Sequence, residues 1–288
     1  MNTDKFRIRE GAKLDLKDHP TDFTGDYADK DKASEDLKNN VARLGELQDV
    51  LYAQDRQSLL IIFQAMDAAG KDGAIKHVMS GINPQGVSVV SFKQPNDEEL
   101  SHDFLWRCAK SAPERGRIGI FNRSHYEEVL VVRVHPQILE GQHLPDEIKN
   151  DKSIWKKRFE HIRNFESHLA ASGTHILKFF LNVSKKEQKK RFLARIDETE
   201  KNWKFSTGDV KERGHWDDYM KAYTEAIAST STDGAPWYII PADKKWFTRL
   251  AVSEVIKQKL ESMDLQYPVV TAEHKAELSE AKKMLEAE

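Results

Sequence analysis

A chain of 288 residues can bury one large core or two modest ones, and a composition of 32% charged against 39% hydrophobic residues is that of a soluble folded enzyme. A formal charge of −2 excludes a protein that coats nucleic acid through bulk electrostatics, which needs a sustained excess of Lys and Arg. The charged start, Met1 to Asp18, and the absence of any window of roughly twenty apolar residues predict neither export nor a membrane span, and the lone Cys108 leaves no intrachain disulfide and no cysteine zinc cage, so a cytoplasmic protein is expected.

From Met1 to about Ala33 no hydrophobic period persists, and Gly11, Pro20 and Gly25 interrupt the polar residues, so residues 1–36 read as an extended or loosely packed N-terminal arm. Leu37, Val41, Leu44, Leu47 and Leu51 then recur at helical spacing, with Ser34 as the expected N-cap. The run Ser58–Gln64 is apolar, of strand length, and ends in a glycine-bearing turn, as a central parallel strand does. Strands of similar character are expected at Val87–Ser91, Arg117–Phe121, His175–Leu181 and Trp237–Ile240. Helices between and after them are expected at Gly73–Ser80, Leu100–Lys110, His125–Val134, Ser153–Ala171, Lys185–Asp197, Asp217–Ile227 and Lys245–Met263. Alternating strands and helices imply an α/β fold with a parallel sheet covered on both faces. The polar stretch Glu198–Gly214 reads as a mobile loop, so residues 37–268 form one domain with a lid near 185–216, and residues 269–288 a polar, helix-prone tail.

The segment most informative about chemistry is Ala65-Met-Asp-Ala-Ala-Gly-Lys-Asp-Gly73, which leaves the first predicted strand and opens a helix. In a P-loop, backbone N–H groups wrap phosphate oxygens, a lysine reaches the terminal phosphates, and the helix N-terminus adds positive potential. Ala69, Gly70, Lys71, Asp72 and Gly73 stand where phosphate binding needs them, although Ala65 replaces the first glycine of the strict pattern and Asp72 its Ser or Thr. A glycine turn between strand and helix is common and says little alone. Asp67 and Asp72 add weight, because carboxylates beside a phosphate cradle repel the substrate unless a cation such as magnesium lies between them.

A second strand end carries Asn122-Arg-Ser-His-Tyr-Glu-Glu128. Asn122 takes the place of a Walker-B carboxylate, Arg123 is suited to clamping a phosphate, and Glu127 or Glu128 to reaching the metal directly or through water. After the strand next door, Lys93 and Gln94 are candidates for acceptor-nucleotide contacts, with Arg133 joining them. A basic helix face, Arg191 and Arg195, leads into Lys204 and has the character of a kinase lid. Ser124-His125 and His161 with His168 are discounted, the first because sequence neighbours do not align nucleophile and base, the second for want of a third zinc ligand.

Asp67–Gly73, Phe92–Pro95, Glu99–Trp106, Phe121–Glu127, Trp203–Ser206 and Ala235–Asp243 together resemble the type-two polyphosphate kinases, over nearly the whole chain. The resemblance implies a thymidylate-kinase-like P-loop fold with a helical lid and phosphoryl transfer between inorganic polyphosphate and nucleotides. Carried over by position, Lys71 holds the phosphates, Asp67 the magnesium, Arg123 the transferring group, and Arg191 to Lys204 the lid. Much of that family has Asp-Arg-Ser-Trp-Tyr where this chain has Asn122-Arg-Ser-His-Tyr126, which resembles the subgroup using nucleoside mono- and diphosphates. The expected partners are polyphosphate and AMP, ADP or ATP in a homo-oligomer, with no nucleic acid and no membrane. An ATP-dependent nucleoside monophosphate kinase is the nearest alternative, and a non-catalytic nucleotide-binding or RNA-binding regulator the alternative from another class.

Overall fold

The computed structural model describes residues 1–288. Six strands form one sheet: β1 (Arg7–Ile8), β2 (Ser58–Gln64), β3 (Val87–Ser91), β4 (Ile118–Asn122), β5 (Thr174–Asn182) and β6 (Trp237–Pro241). Their spatial order is β1-β6-β5-β2-β4-β3, parallel throughout except for β1, which runs antiparallel to β6. Every residue of β2 is buried, as an unbroken apolar run requires when both faces of a central strand meet helices. After β2 the chain crosses to β3, returns to β4, and then moves to the other side of β2 for β5 and β6. This reversal opens a crevice at the carboxyl ends of the central strands, where doubly wound sheets bind ligands.

The helices are α1 (Lys30–Gln54), α2 (Lys71–Val78), α3 (Asp97–Leu100), α4 (Trp106–Lys110), α5 (Val131–Val134), α6 (Pro136–Glu140), α7 (Asp146–Lys149), α8 (Ile154–Ala171), α9 (Lys185–Asp197), α10 (Thr207–Glu212), α11 (Trp216–Thr230), α12 (Lys245–Glu261) and α13 (Ala272–Glu286). α12 packs on α1 and α2, while α8 and α11 pack together with α5, so helical layers cover the sheet and complete the three-layer P-loop kinase architecture. No helix is long and apolar enough to cross a membrane.

Several expectations are corrected. α1 starts at Lys30, capped by the Asp29 carboxylate, which accepts from the Asp31 N–H; Ser34 lies inside the helix. The lead-in is packed and not loose: Phe6, Ile8 and Leu16 are buried, β1 pairs with Trp237 and Tyr238, and Phe6, Phe23 and Phe247 meet edge to face at centroid distances of 6.1–6.2 Å. The predicted helix at Leu100–Lys110 is two short ones, the first opened by an Asn96–Glu99 capping box. His125–Val129 is a 3₁₀ turn preceding α5. Glu198–Gly214 is built of short helical turns, and the Asn202 amide caps α9 by donating to the carbonyls of Arg195 and Ile196 at 2.8 and 2.7 Å.

Candidate active site

The P-loop turn is shaped by two left-handed residues. Gly70 adopts φ 110°, which glycine tolerates, and Ala68 adopts φ 60°, which costs a residue with a β-carbon about 1–2 kcal/mol. Ala65 lies outside the left-handed region, so the turn does not need the glycine that the strict pattern puts there. The Lys71 ammonium folds back to donate to the Ala65 carbonyl at 2.9 Å. Burial, and next the Arg123 charge, push its pKa down, opposed by Asp67, Glu127 and Asp72.

At the neighbouring strand end Arg123 is also left-handed, φ 65°, and is held there because its N–H donates to the Phe63 carbonyl of β2 at 3.0 Å. Strain of this kind collects at sites whose surroundings over-determine it. The conformation turns the guanidinium onto the P-loop: Nη2 donates to Asp67 at 2.7 Å and Nη1 to Glu127 at 3.1 Å. Glu127 above all, and Asp67 after it, hold Arg123 firmly protonated against the effect of burial. The Asn122 amide donates to Asp72 at 2.8 Å, joining the ends of both loops.

Arg191 departs from the picture of a free lid cation. It is buried, and its guanidinium donates to four backbone carbonyls, Ala68 (3.0 Å), Ala69 (2.7 Å), Ala242 (2.6 Å) and Asp243 (3.1 Å), and to Glu187 at 3.0 Å. It therefore braces the P-loop against the end of β6. The Gln188 amide adds a bond to the Asp67 carbonyl at 3.0 Å. Arg195 instead pairs with Asp209 at 3.2 Å, and Lys204 lies over the exposed Trp203 ring at 4.8 Å.

These groups enclose a cleft of roughly 430 Å³ lined by Asp67 to Ala74, Asn122, Arg123, Arg191, Ala194, Arg195, Lys201, Lys204, Lys245, Thr248 and Arg249. Eight lining residues are basic and two acidic, in a chain whose overall charge is nearly balanced. Such focusing draws in polyanions. Lys201, Lys245 and Arg249 are additions that the sequence reading missed; the signal present was two cations four apart, Lys245 and Arg249, opening the helix after a sheet strand.

Other nominated residues lie elsewhere. Lys93 and Gln94 are exposed and outside the cleft lining, and Arg133 is tied to Glu225 at 2.6 Å beside Trp155. Glu128 is turned away: it is buried against Arg158 at 3.2 Å and accepts from Gln142 at 2.7 Å, so it does not reach a metal in the cleft. His125 is fully buried, its Nε2 3.4 Å from Glu166, which is structural company and not that of a base.

The profile of the polyphosphate kinase 2 family matches residues 27–268. The chain belongs to this family. It is 54% identical over 285 residues, 99% of each chain, to the ADP-polyphosphate phosphotransferase of Rhodopseudomonas palustris. It is 45% identical to the AMP/ADP-polyphosphate phosphotransferase of Meiothermus ruber, over 92% of this chain and 95% of that one. The crystal structure of polyphosphate kinase 2 from Arthrobacter aurescens TC1 superposes with a TM-score of 0.86 at 42% identity, covering 96% of this chain and 95% of that one. The P-loop kinase architecture of this chain is thus that of the polyphosphate kinase 2 family.

Proposed function

We propose that this enzyme transfers phosphoryl groups between inorganic polyphosphate and adenine nucleotides, converting AMP and ADP to ADP and ATP reversibly. The observation that carries the reading is the cleft itself, with eight cations, two carboxylates and no aromatic side chain around a P-loop. The names of the relatives support ADP and AMP as acceptors.

The acceptor is already a phosphate oxyanion, so no general base is required, and catalysis is alignment plus neutralisation of charge. Lys71 and the N–H groups of Ala69 to Gly73 hold the donor phosphates. Arg123, anchored between Asp67 and Glu127, faces the group in transit. Arg191 acts as a positioning residue through the P-loop carbonyls it braces. Lys93, Gln94 and Arg133 are assigned to the acceptor side, reached by the β3 and β4 ends of the sheet.

Magnesium fits the donor set. Asp67 and Asp72 are hard carboxylates lining one cleft, which suits an ion that takes one or two carboxylates and completes its shell with phosphate oxygens and water. Asp67 would be its principal ligand, with Asp72 and Asn122 beside it and Glu127, which pairs with Arg123, behind. When bound, the ion would supply neutralisation of phosphate charge. Asp67→Asn is expected to lower turnover about a hundredfold and to raise the magnesium concentration for half-maximal rate. A magnesium titration identical to the parent's would make Asp67 an anchor for Arg123 alone.

Arg195 exchanges Asp209 for phosphate oxygens as the lid closes, so its contact strengthens towards the transition state. Arg195→Ala should cut kcat by roughly ten- to a hundredfold and leave the nucleotide KM within about threefold. Equal effects on both constants would remove it from the transition state. The founding experiment offers the purified protein AMP or ADP with magnesium and polyphosphate, and in parallel with ATP as donor. Turnover with ATP and none with polyphosphate would overturn the reading.

A further inference from the structure

Asp243 stands just past the end of β6 and does not line the cleft, yet each of its polar groups is engaged by a separate part of the chain. Its N–H donates to the Thr21 carbonyl at 2.9 Å, and its Oδ2 accepts from the Thr21 hydroxyl at 2.9 Å. Oδ1 accepts from the Ser184 N–H at 2.7 Å, and the Asp243 carbonyl accepts from Arg191 at 3.1 Å. Thr21 belongs to the N-terminal arm, Ser184 to the root of the lid helix α9, and Arg191 to the brace of the P-loop. The carboxylate bonds one hydroxyl and one backbone N–H, although Lys244 and Lys245 follow it in the chain. A group needed only to balance charge would turn to those lysines.

The turn from β5 into α9 is held at both of its ends. The Asn182 amide donates to the His19 carbonyl of the arm at 2.8 Å, and the Asn182 carbonyl accepts from the Ala242 N–H at 3.0 Å. Two residues on, Ser184 caps α9 by accepting from the Glu187 N–H, and the Asp243 carboxylate on the Ser184 N–H adds a favourable charge at that helix end. Two turns further along, Arg191 returns to the carbonyls of Ala242 and Asp243 while it reaches those of Ala68 and Ala69. The first two turns of α9 are therefore tied to β6 at their root and to the P-loop at their end. A closing lid needs a static pivot. Here the static frame runs as far as Arg191, and Arg195, bonded to the lid's own Lys204 carbonyl and Asp209 carboxylate, is the first arginine beyond it.

The arm is built to hold its side of this frame. His19 and Thr21 flank Pro20, whose ring restricts the backbone between the two carbonyls in use. Phe23 then anchors the segment on Phe247 of α12, at a centroid distance of 6.1 Å. His19 and Thr21 precede residue 27, where the span shared with the family profile begins.

We propose that Asp243 is a positioning residue for phosphoryl transfer, through which the N-terminal arm at Thr21 fixes the root of the lid helix and the arginine that braces the P-loop. Asp243 touches no phosphate and acts through Arg191. Its kinetic consequence rests on the phosphoryl-transfer reading of the cleft. Loosening this pin lowers the rate more than the affinity for nucleotide, because it degrades the alignment of the reacting groups.

The test compares the parent with Asp243→Ala, Asp243→Asn, Thr21→Val, Arg191→Ala and the double variant Asp243→Ala with Arg191→Ala. Kinetics with ADP, magnesium and polyphosphate are measured beside melting curves and backbone hydrogen exchange. Asp243→Ala is expected to lower kcat about tenfold with the nucleotide KM within about threefold, and to speed exchange in peptides covering residues 65–73 and 183–191. Asp243→Asn should keep most of the parent rate, since its amide oxygen can accept from the Ser184 N–H and its NH2 can donate to the Thr21 hydroxyl. Thr21→Val removes one of the two Thr21 bonds and should give an intermediate loss; it carries the test if Asp243→Ala does not fold. The double variant should be within about twofold of Arg191→Ala alone, because both changes break one linkage. Parent kcat and parent P-loop exchange in Asp243→Ala or Thr21→Val, with only the melting point lowered, would overturn the proposal and leave a fold anchor. Losses that multiply in the double variant would overturn the route through Arg191. A parent without turnover would overturn the phosphoryl-transfer reading, and the exchange comparison would still decide for or against the pin.

Discussion

Replacing Lys71 with alanine is expected to lower turnover by roughly two to three orders of magnitude, the usual cost of removing a preorganised charge aimed at the reacting phosphates. The fold should survive, because the only hydrogen bond lost is the one to the Ala65 carbonyl, and the turn is held independently by Arg191 and Gln188. Steady-state rates with polyphosphate and ADP, beside a melting curve, test this. A folded variant with near-parent turnover would sink the assignment of the P-loop as the phosphate cradle.

The second large effect is on stability. Lys178 stands in the middle of β5, paired in register with Ile62 on one side and Trp237 on the other, and is completely buried. Its ammonium donates to Glu166 at 2.5 Å, to the Tyr126 hydroxyl at 3.0 Å and to the Thr230 carbonyl at 2.8 Å. The Tyr126 hydroxyl in turn donates to Glu166 at 2.8 Å, and the Trp237 indole N–H donates to the Thr230 hydroxyl at 2.9 Å. Burial alone would raise the Glu166 carboxyl, but Lys178 and His125 outweigh it and hold the group below its ordinary range. Lys178→Met leaves this carboxylate buried without its cation, a change that costs about 3–5 kcal/mol. For a domain of this size that corresponds to a melting point lower by roughly 6–20 °C. Lys178→Met combined with Glu166→Leu should regain most of the loss, since neither charge is then stranded. A single variant as stable as the parent would mean that water reaches the pair.

The sheet was legible where burial alone governs the residue choice. β2, β5 and β6 carry apolar runs because helices cover both faces, and their bounds differ from the expected ones by one residue at most. β1 was invisible for the opposite reason: two residues make no pattern, and Arg7–Ile8 is a strand only because Trp237 and Tyr238 lie beside it. Short helices such as α6 and α7 likewise owe their form to contacts and not to a period.

In the cleft, sequence reasoning worked along the chain and stopped where space folds back. Asp67 to Gly73 and Asn122 to Arg123 were readable because each leaves a strand directly. Arg191 reads from its neighbours as a lid cation closing on the phosphates, yet four carbonyls from two distant loops engage it, which no local pattern conveys. Lys245 and Arg249 reach the P-loop only because β6 and α12 return the chain to β2. Lys178 sat inside a recognised strand, but its role depends on Glu166 and Tyr126 from two other elements.

The pairs Arg195–Asp209 and Arg123–Asp67 carry one more consequence. These carboxylates are built-in counterions for the two arginines, so on the proposed reading a phosphate chain that takes over Arg195 displaces a fixed anion as well as dissolved ones. Binding becomes an ion exchange within the protein, and the number of salt ions released is smaller than the number of cations around the cleft. Asp209, whose pKa is raised by burial and next by Asp67, is the softer of these counterions. An enzyme built this way keeps a dense basic surface folded and free of stray anions until a ligand with many charges in a row outcompetes its own side chains.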